Sequence, residues 1–313
     1  MVRYLLYPLS PAIRWMRQLH LPTKLGLLGL MLLLPLFVVA IARHQTLSAD
    51  IDAVTLGLEG SVAVAALVTL AAEVQASRGL TQTLLTGDAS AGAERDQARQ
   101  RMRQALQTVD ALVAKGSRFE FPKDWPALRE AATALAEGRH AQRREAAFEE
   151  HRLVVDRTRR LIFNVAEASS LLLDPMRDTA LQVNMTVEYL LPWSEGLAAT
   201  RGLAAPVLAR GEANGRDRAT MLAAVAGIGR QTEELELRMG ALARTGAAVP
   251  KGWLPAKAAA DAFAKLTQDG FSADIVKLDA KAHYAIGAQA VDLAHGLHQQ
   301  VIQIGRASCR ERV

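Results

Sequence analysis

Two short stretches, ASRGLTQTLL at 76–85 and ATRGLAAPVL at 199–208, each set one arginine and one glycine into an otherwise almost uncharged helical sequence. Between Gly60 and Asp88 the charged residues are Glu73 and Arg78, and between Tyr189 and Ala209 they are Glu195 and Arg201. Helices so poor in charge read as buried, and a buried guanidinium must find an anion, because desolvating it alone is costly. The glycine beside each arginine weakens a helix interior by ~1 kcal/mol relative to alanine, a cost that makes sense where backbone or ligand must come close. Guanidinium forks suit small planar oxyanions such as nitrate, nitrite or a carboxylate. One reading therefore joins Arg78, Gly79, Arg201 and Gly202 in a single ligand-binding site. The other pairs Arg78 and Arg201 with Glu195 and Glu73 as internal ion pairs that lock helices together.

Other constellations offer less. Asp292, His295 and His298 follow an i, i+3, i+6 spacing on the final helix, but the outer two stand about 120° apart around it. A solvated helix face is the expectation there, and no metal site is expected. His140, His151 and His283 have no partner pattern. There is no glycine-rich phosphate loop, nucleophile elbow, HExxH or paired Cys/His spacing, so the chain reads as a binding protein that is no enzyme and needs no cofactor.

The elements that carry these residues are helices. Only 5% of the residues are aromatic, Ala and Leu abound, and no run alternates in the manner of a strand. The sequence also repeats itself. Arg78-Gly79-Leu80 matches Arg201-Gly202-Leu203, Arg95-Asp96-Gln97-Ala98 matches Arg216-Asp217-Arg218-Ala219, and Pro122-Lys123-Asp124-Trp125 matches Pro250-Lys251-Gly252-Trp253, at offsets of 123, 121 and 128. Three landmarks in one order predict two tandem, pseudo-repeated antiparallel helical bundle modules, residues 43–173 and 174–303, hinged at Asp174-Pro175. Turn residues near 86–88 and 210–212 should end the arginine helices. Charged helices should follow at about 91–115 and 213–244, and Trp125 and Trp253 should pack as anchors at the bundle ends.

The charge lies at the ends. Of the net +5, residues 1–24 carry +4 and residues 304–313 carry +2, leaving −1 for the rest, so no nucleic-acid footprint remains. Residues 25–42, LGLLGLMLLLPLFVVAIA, are 18 without a charge, enough to cross the hydrocarbon core of a bilayer. The basic flank is N-terminal and acids follow soon after. The positive-inside rule then places residues 1–24 in the cytoplasm and the bulk in the periplasm, with one pass through the inner membrane and a lipid bilayer as partner. Ala40-Ile41-Ala42 fits a signal-peptidase site, but the long basic segment and long apolar run favour a retained anchor. The end, IGRASCRERV, matches the translation of a common sequencing-library adapter, which implies a natural chain interrupted after Gln303; a genuine basic tail is the alternative. Cys309, the one cysteine, lies in that tail, so no internal disulfide is expected.

With the apolar segment, the paired arginine helices and the stretch SSLLLDPMRDTALQVNMTVEYLLPWSEGLAATRGLAAPVLARG at 169–211, the chain resembles the periplasmic sensor regions of bacterial transmembrane receptors. These are methyl-accepting chemotaxis proteins above all, and also sensor histidine kinases and diguanylate cyclases. The duplicated Arg-Gly helices more distantly resemble the nitrate- and nitrite-sensing (NIT) domain, whose two bundles each present one such arginine. The resemblance implies a ligand sensor, expected as a homodimer, taking a small anion at the arginines. A membrane-anchored structural rod is the rival reading.

Overall fold

The computed structural model describes residues 19–272 and 276–310, and the side chains of 49, 50 and 308–310 are outside that description. Arg3, Arg14 and Arg17 of the basic segment and the Cys309 thiol therefore lie outside the described residues. The chain divides into two compact units, Met1–Asp52 and Ala53–Val313. Among the described residues there is no strand, and the protein is all-α.

Helix α1 runs without interruption over Leu21–Leu85 with Pro35 inside it. Its most apolar 18-residue window has a mean hydropathy of 2.7, and none of that window is buried. Among the described residues it is the one helix long and apolar enough to cross a membrane.

In the second unit, α1 is followed by α2 (Gly92–Lys115), α3 (Trp125–Ala136) and α4 (Arg144–Ala168). After a short 3₁₀ turn at Leu171–Leu173 come α5 (Arg177–Asn184), a π-helical stretch (Met185–Leu190) and α6 (Leu191–Arg210). Then follow α7 (Gly215–Arg244), α8 (Trp253–Ser272) and α9 (Ala280–Arg310). The stops are those the turn residues predict. Gly211 ends α6 in the left-handed conformation, which costs glycine no Cβ strain. Asn214 and Asp217 cap α7 reciprocally. Helix α9 runs on through 304–310.

Two large hydrophobic cores and two smaller clusters result among the described residues. Leu67, Leu70 and Val74 of α1 pack with Met102 of α2, Leu128 of α3 and Ile162 of α4 in one. Trp193 and Leu197 of α6 pack with Leu235 of α7, Phe263 of α8 and Leu297 of α9 in the other, where α6, α7, α8 and α9 form a closed ring of packed neighbours. Trp125 and Trp253 each open the third helix of their group and are 4% and 5% exposed. Trp125 donates its indole N–H to Asp110, whereas Trp253 lies 6.1 Å from the ring of Trp193. The π-helical stretch has no counterpart in the first group and no cue in the sequence. Its wider turn frees the Thr186 carbonyl, which accepts a 2.9 Å hydrogen bond from Nε2 of His298 on α9.

Candidate functional site: two buried arginines

Helix α1 brings Arg78 into the interior, and α6 brings Arg201. Their exposures are 0% and 5%. The surroundings of the two differ. Arg78 donates from Nη1 and Nη2 to the two carboxylate oxygens of Glu195 on α6, at 2.5 and 2.9 Å, the two-pronged geometry that best compensates a desolvated cation. Its guanidinium also stands 4.8 Å above the Phe148 ring of α4.

Arg201 has no carboxylate within 4 Å among the described residues. Its guanidinium lies 4.7 Å from the Tyr284 ring of α9 and presses on the backbone of Gly79. A methyl group at position 79 would meet Arg201 Nη2 at 2.5 Å, so any side chain there would have to displace the arginine head. Gly202 plays the reciprocal part less tightly: its added methyl would meet the Phe148 ring at 3.1 Å. Thus Gly79 makes room for the other helix's arginine and Gly202 for the ring beside the other helix's arginine, and the four sequence-predicted residues come together. Burial pulls the Arg201 guanidinium below its ordinary pKa, with Tyr284 and Asp292 opposing and Arg78 adding to the effect.

The expected pairing of Arg201 with Glu73 is not made. Glu73 instead accepts from Arg101 Nε on α2 at 2.9 Å, within reach of solvent, and burial raises its pKa. The acids five and six residues before the two arginines therefore meet different fates, because α2 supplies a competing cation on one side only.

Buried polar groups cluster on the same faces. The Nε atoms of Arg78 and Arg201 and both amide atoms of Gln75, three residues before Arg78, have no hydrogen-bond partner among the described residues. His151 donates from Nδ1 to the Ala147 carbonyl and stands 3.5 Å from the Ser77 hydroxyl. His283 meets the Thr267 hydroxyl at 3.0 Å. Burial holds both rings neutral, at about 3 for His151 and about 4 for His283, with Arg78 and Arg201 respectively adding to the effect.

The final-helix cluster is corrected too. Asp292 is exposed, but His298 is 0% exposed and both ring nitrogens of His295 are shut off from solvent. The helix face expected to be solvated is mostly interior, because α9 packs against both α6 and α8. Among the described residues no His, Cys, Asp and Glu side chains form a group that could hold a metal ion.

Phe148 and Gly202 also line a cleft of about 470 Å³, together with Gln82, Arg144 and Arg210. Phe148 and Tyr284, the aromatic faces of the site, escaped sequence reasoning; nothing in their spacing links them to residues tens of positions away.

The fold and the site define an all-α protein with two large helical cores and a buried pair of arginines, one neutralised and one not. Its fold is similar to that in the structure of the NasR transcription antiterminator, with a TM-score of 0.62 at 14% identity, over 88% of this chain and 74% of that one. No protein-family model matches the chain, and no curated protein does.

Proposed function

We propose that the chain is the anchor and ligand-sensing region of a bacterial membrane receptor of the chemoreceptor kind, and that it binds a small planar oxyanion, nitrate, nitrite or a small carboxylate, at Arg201 beside Arg78. The observation that carries the reading is the uncompensated Arg201: a guanidinium almost wholly out of water, walled by Tyr284 and the Gly79 backbone, with no carboxylate in reach. Retaining such a charge costs stability unless a ligand supplies the anion. The cleft beside Phe148 and Gly202 carries Arg144, Arg210 and Arg216 against Glu145 and Asp217, which pair with Arg144 and Arg210, and so keeps a net positive rim for an approaching anion. The resemblance of the Arg-Gly helices to the NIT domain supports the same ligand class.

In this reading the work is binding and transmission. An anion on Arg201 changes how α6 and α9 pack on α1, and α1 is also the helix that carries the apolar stretch. A coupling of about 1–3 kcal/mol suffices to alter signalling output. The test is anion binding to the full chain in detergent. Nitrate, nitrite or formate at a hundred times Kd should stabilise it by about 2.7 kcal/mol, and Arg201→Ala should abolish the gain. Equal behaviour of the two proteins with every anion would overturn the reading.

A further inference from the structure

The charges around the two arginines make an unequal sum. Arg78 and Arg201 contribute two positive charges, and Glu195 removes one of them. Glu73 contributes nothing inward, because Arg101 already neutralises it. Asp292 faces solvent, and the rings of His151, His283 and His295 are buried. Within ion-pair distance the site is thus left with one unmatched positive charge, on Arg201, which Asp292 offsets only from beyond 4 Å. Geometry narrows it further: the Glu195 carboxylate is seated across both terminal nitrogens of Arg78, while the terminal nitrogens of Arg201 meet no carboxylate within 4 Å among the described residues.

We propose that Glu195 selects the charge of the ligand: held on Arg78, it restricts the site to singly charged oxyanions and excludes dianions. The inference rests on the sensing reading above. A dianion would leave one negative charge unmatched and set it against the Glu195 carboxylate in a site with little water to screen the repulsion. A monoanion meets Arg201 alone and balances it. Glu195 is a specificity residue here, acting through the guanidinium it holds. Its own side chain is 22% exposed while that of Arg78 is fully buried, so the carboxylate is the member of the pair that solvent can reach.

The experiment compares nitrate and formate with sulfate on the full chain in detergent at matched ionic strength. Arg201→Ala serves as the blank, so that the general stabilising action of sulfate is subtracted. The native chain should bind nitrate at least about tenfold more tightly than sulfate. Glu195→Gln, which keeps the shape and removes the charge, should lower that ratio at least tenfold, and Glu195→Asp should preserve it. An unchanged ratio in Glu195→Gln, or a native chain that takes sulfate as tightly as nitrate, overturns the inference while leaving the sensing reading intact. If no anion distinguishes the native chain from the Arg201→Ala blank, the sensing reading falls and this inference falls with it. Should Glu195→Gln fail to fold, the nitrate-to-sulfate ratio of the native chain and of Glu195→Asp decides the matter.

Discussion

Arg78 and Arg201 stand in nearly the same local sequence, each after a small residue and before Gly-Leu, yet one is clasped by a carboxylate and the other rests on an aromatic ring and bare backbone. The difference comes from elsewhere in the fold. Glu195 reaches across to α1, while its counterpart Glu73 is drawn away by Arg101 on α2. A repeated motif thus supplies the same cation twice, and the neighbouring helices decide which copy is structural and which is left for another partner. Near-equivalence in sequence does not carry near-equivalence in charge balance.

Acid should strain both halves at once, and this is the largest effect. His151 near Arg78, His283 near Arg201, and His298 under the π-helical stretch are each 1% exposed or less. Burial keeps them neutral down to about 3, about 4 and about 3. The unfolded chain binds these protons near pH 6.5. Folded pKa values lie below unfolded ones, so this contribution is whole above that pH and declines as pH falls toward 4, with a slope approaching about 4 kcal/mol per pH unit for the three together. Denaturant melts between pH 7 and 4 should show it; His295, likewise held neutral down to about 4 by burial, adds a fourth equal share, so His151→Gln or His283→Gln should each reduce the slope by about a quarter. A flat profile would mean that the two arginine regions are wetter than described.

The glycines separate the halves more finely. Gly79→Ala forces the Arg201 head aside and should cost about 1 kcal/mol net, after the better helix propensity of alanine offsets part of an overpacking penalty of about 1–3 kcal/mol. Gly202→Ala asks the Phe148 ring to yield by a few tenths of an ångström and should fall within about 0.5 kcal/mol of the parent. Equal costs would erase the distinction between a guanidinium-bearing and a ring-bearing side. Smallest of all should be Glu73→Gln, below about 1 kcal/mol, since its partner Arg101 is half exposed. A large loss there would restore Glu73 as an internal counter-ion.

Much of this was legible in the residues. The helical class and most helix ends follow from composition and from turn residues such as Gly87 and Gly211, which act locally. The glycine at 79 announced a close approach, and the approach is there. What was not legible depends on contacts distant in sequence. Arg101 competing for Glu73, Phe148 and Tyr284 facing the guanidinium groups, and the inward turn of His295 and His298 are all settled by which helices become neighbours. The π-helical stretch is of the same kind: its freed carbonyl is paired by His298, 112 residues away.

The central claim, that one arginine is structural and the other is held in reserve, is tested most directly by the unfolding free energies of Arg78→Ala and Arg201→Ala in buffer free of small oxyanions. Arg78→Ala strands Glu195 and should lose about 3 kcal/mol. Arg201→Ala removes an uncompensated buried cation and should keep the parent's stability within about 1 kcal/mol, or exceed it, despite the lost contact with Tyr284. Losses of equal size in the two variants would contradict the account.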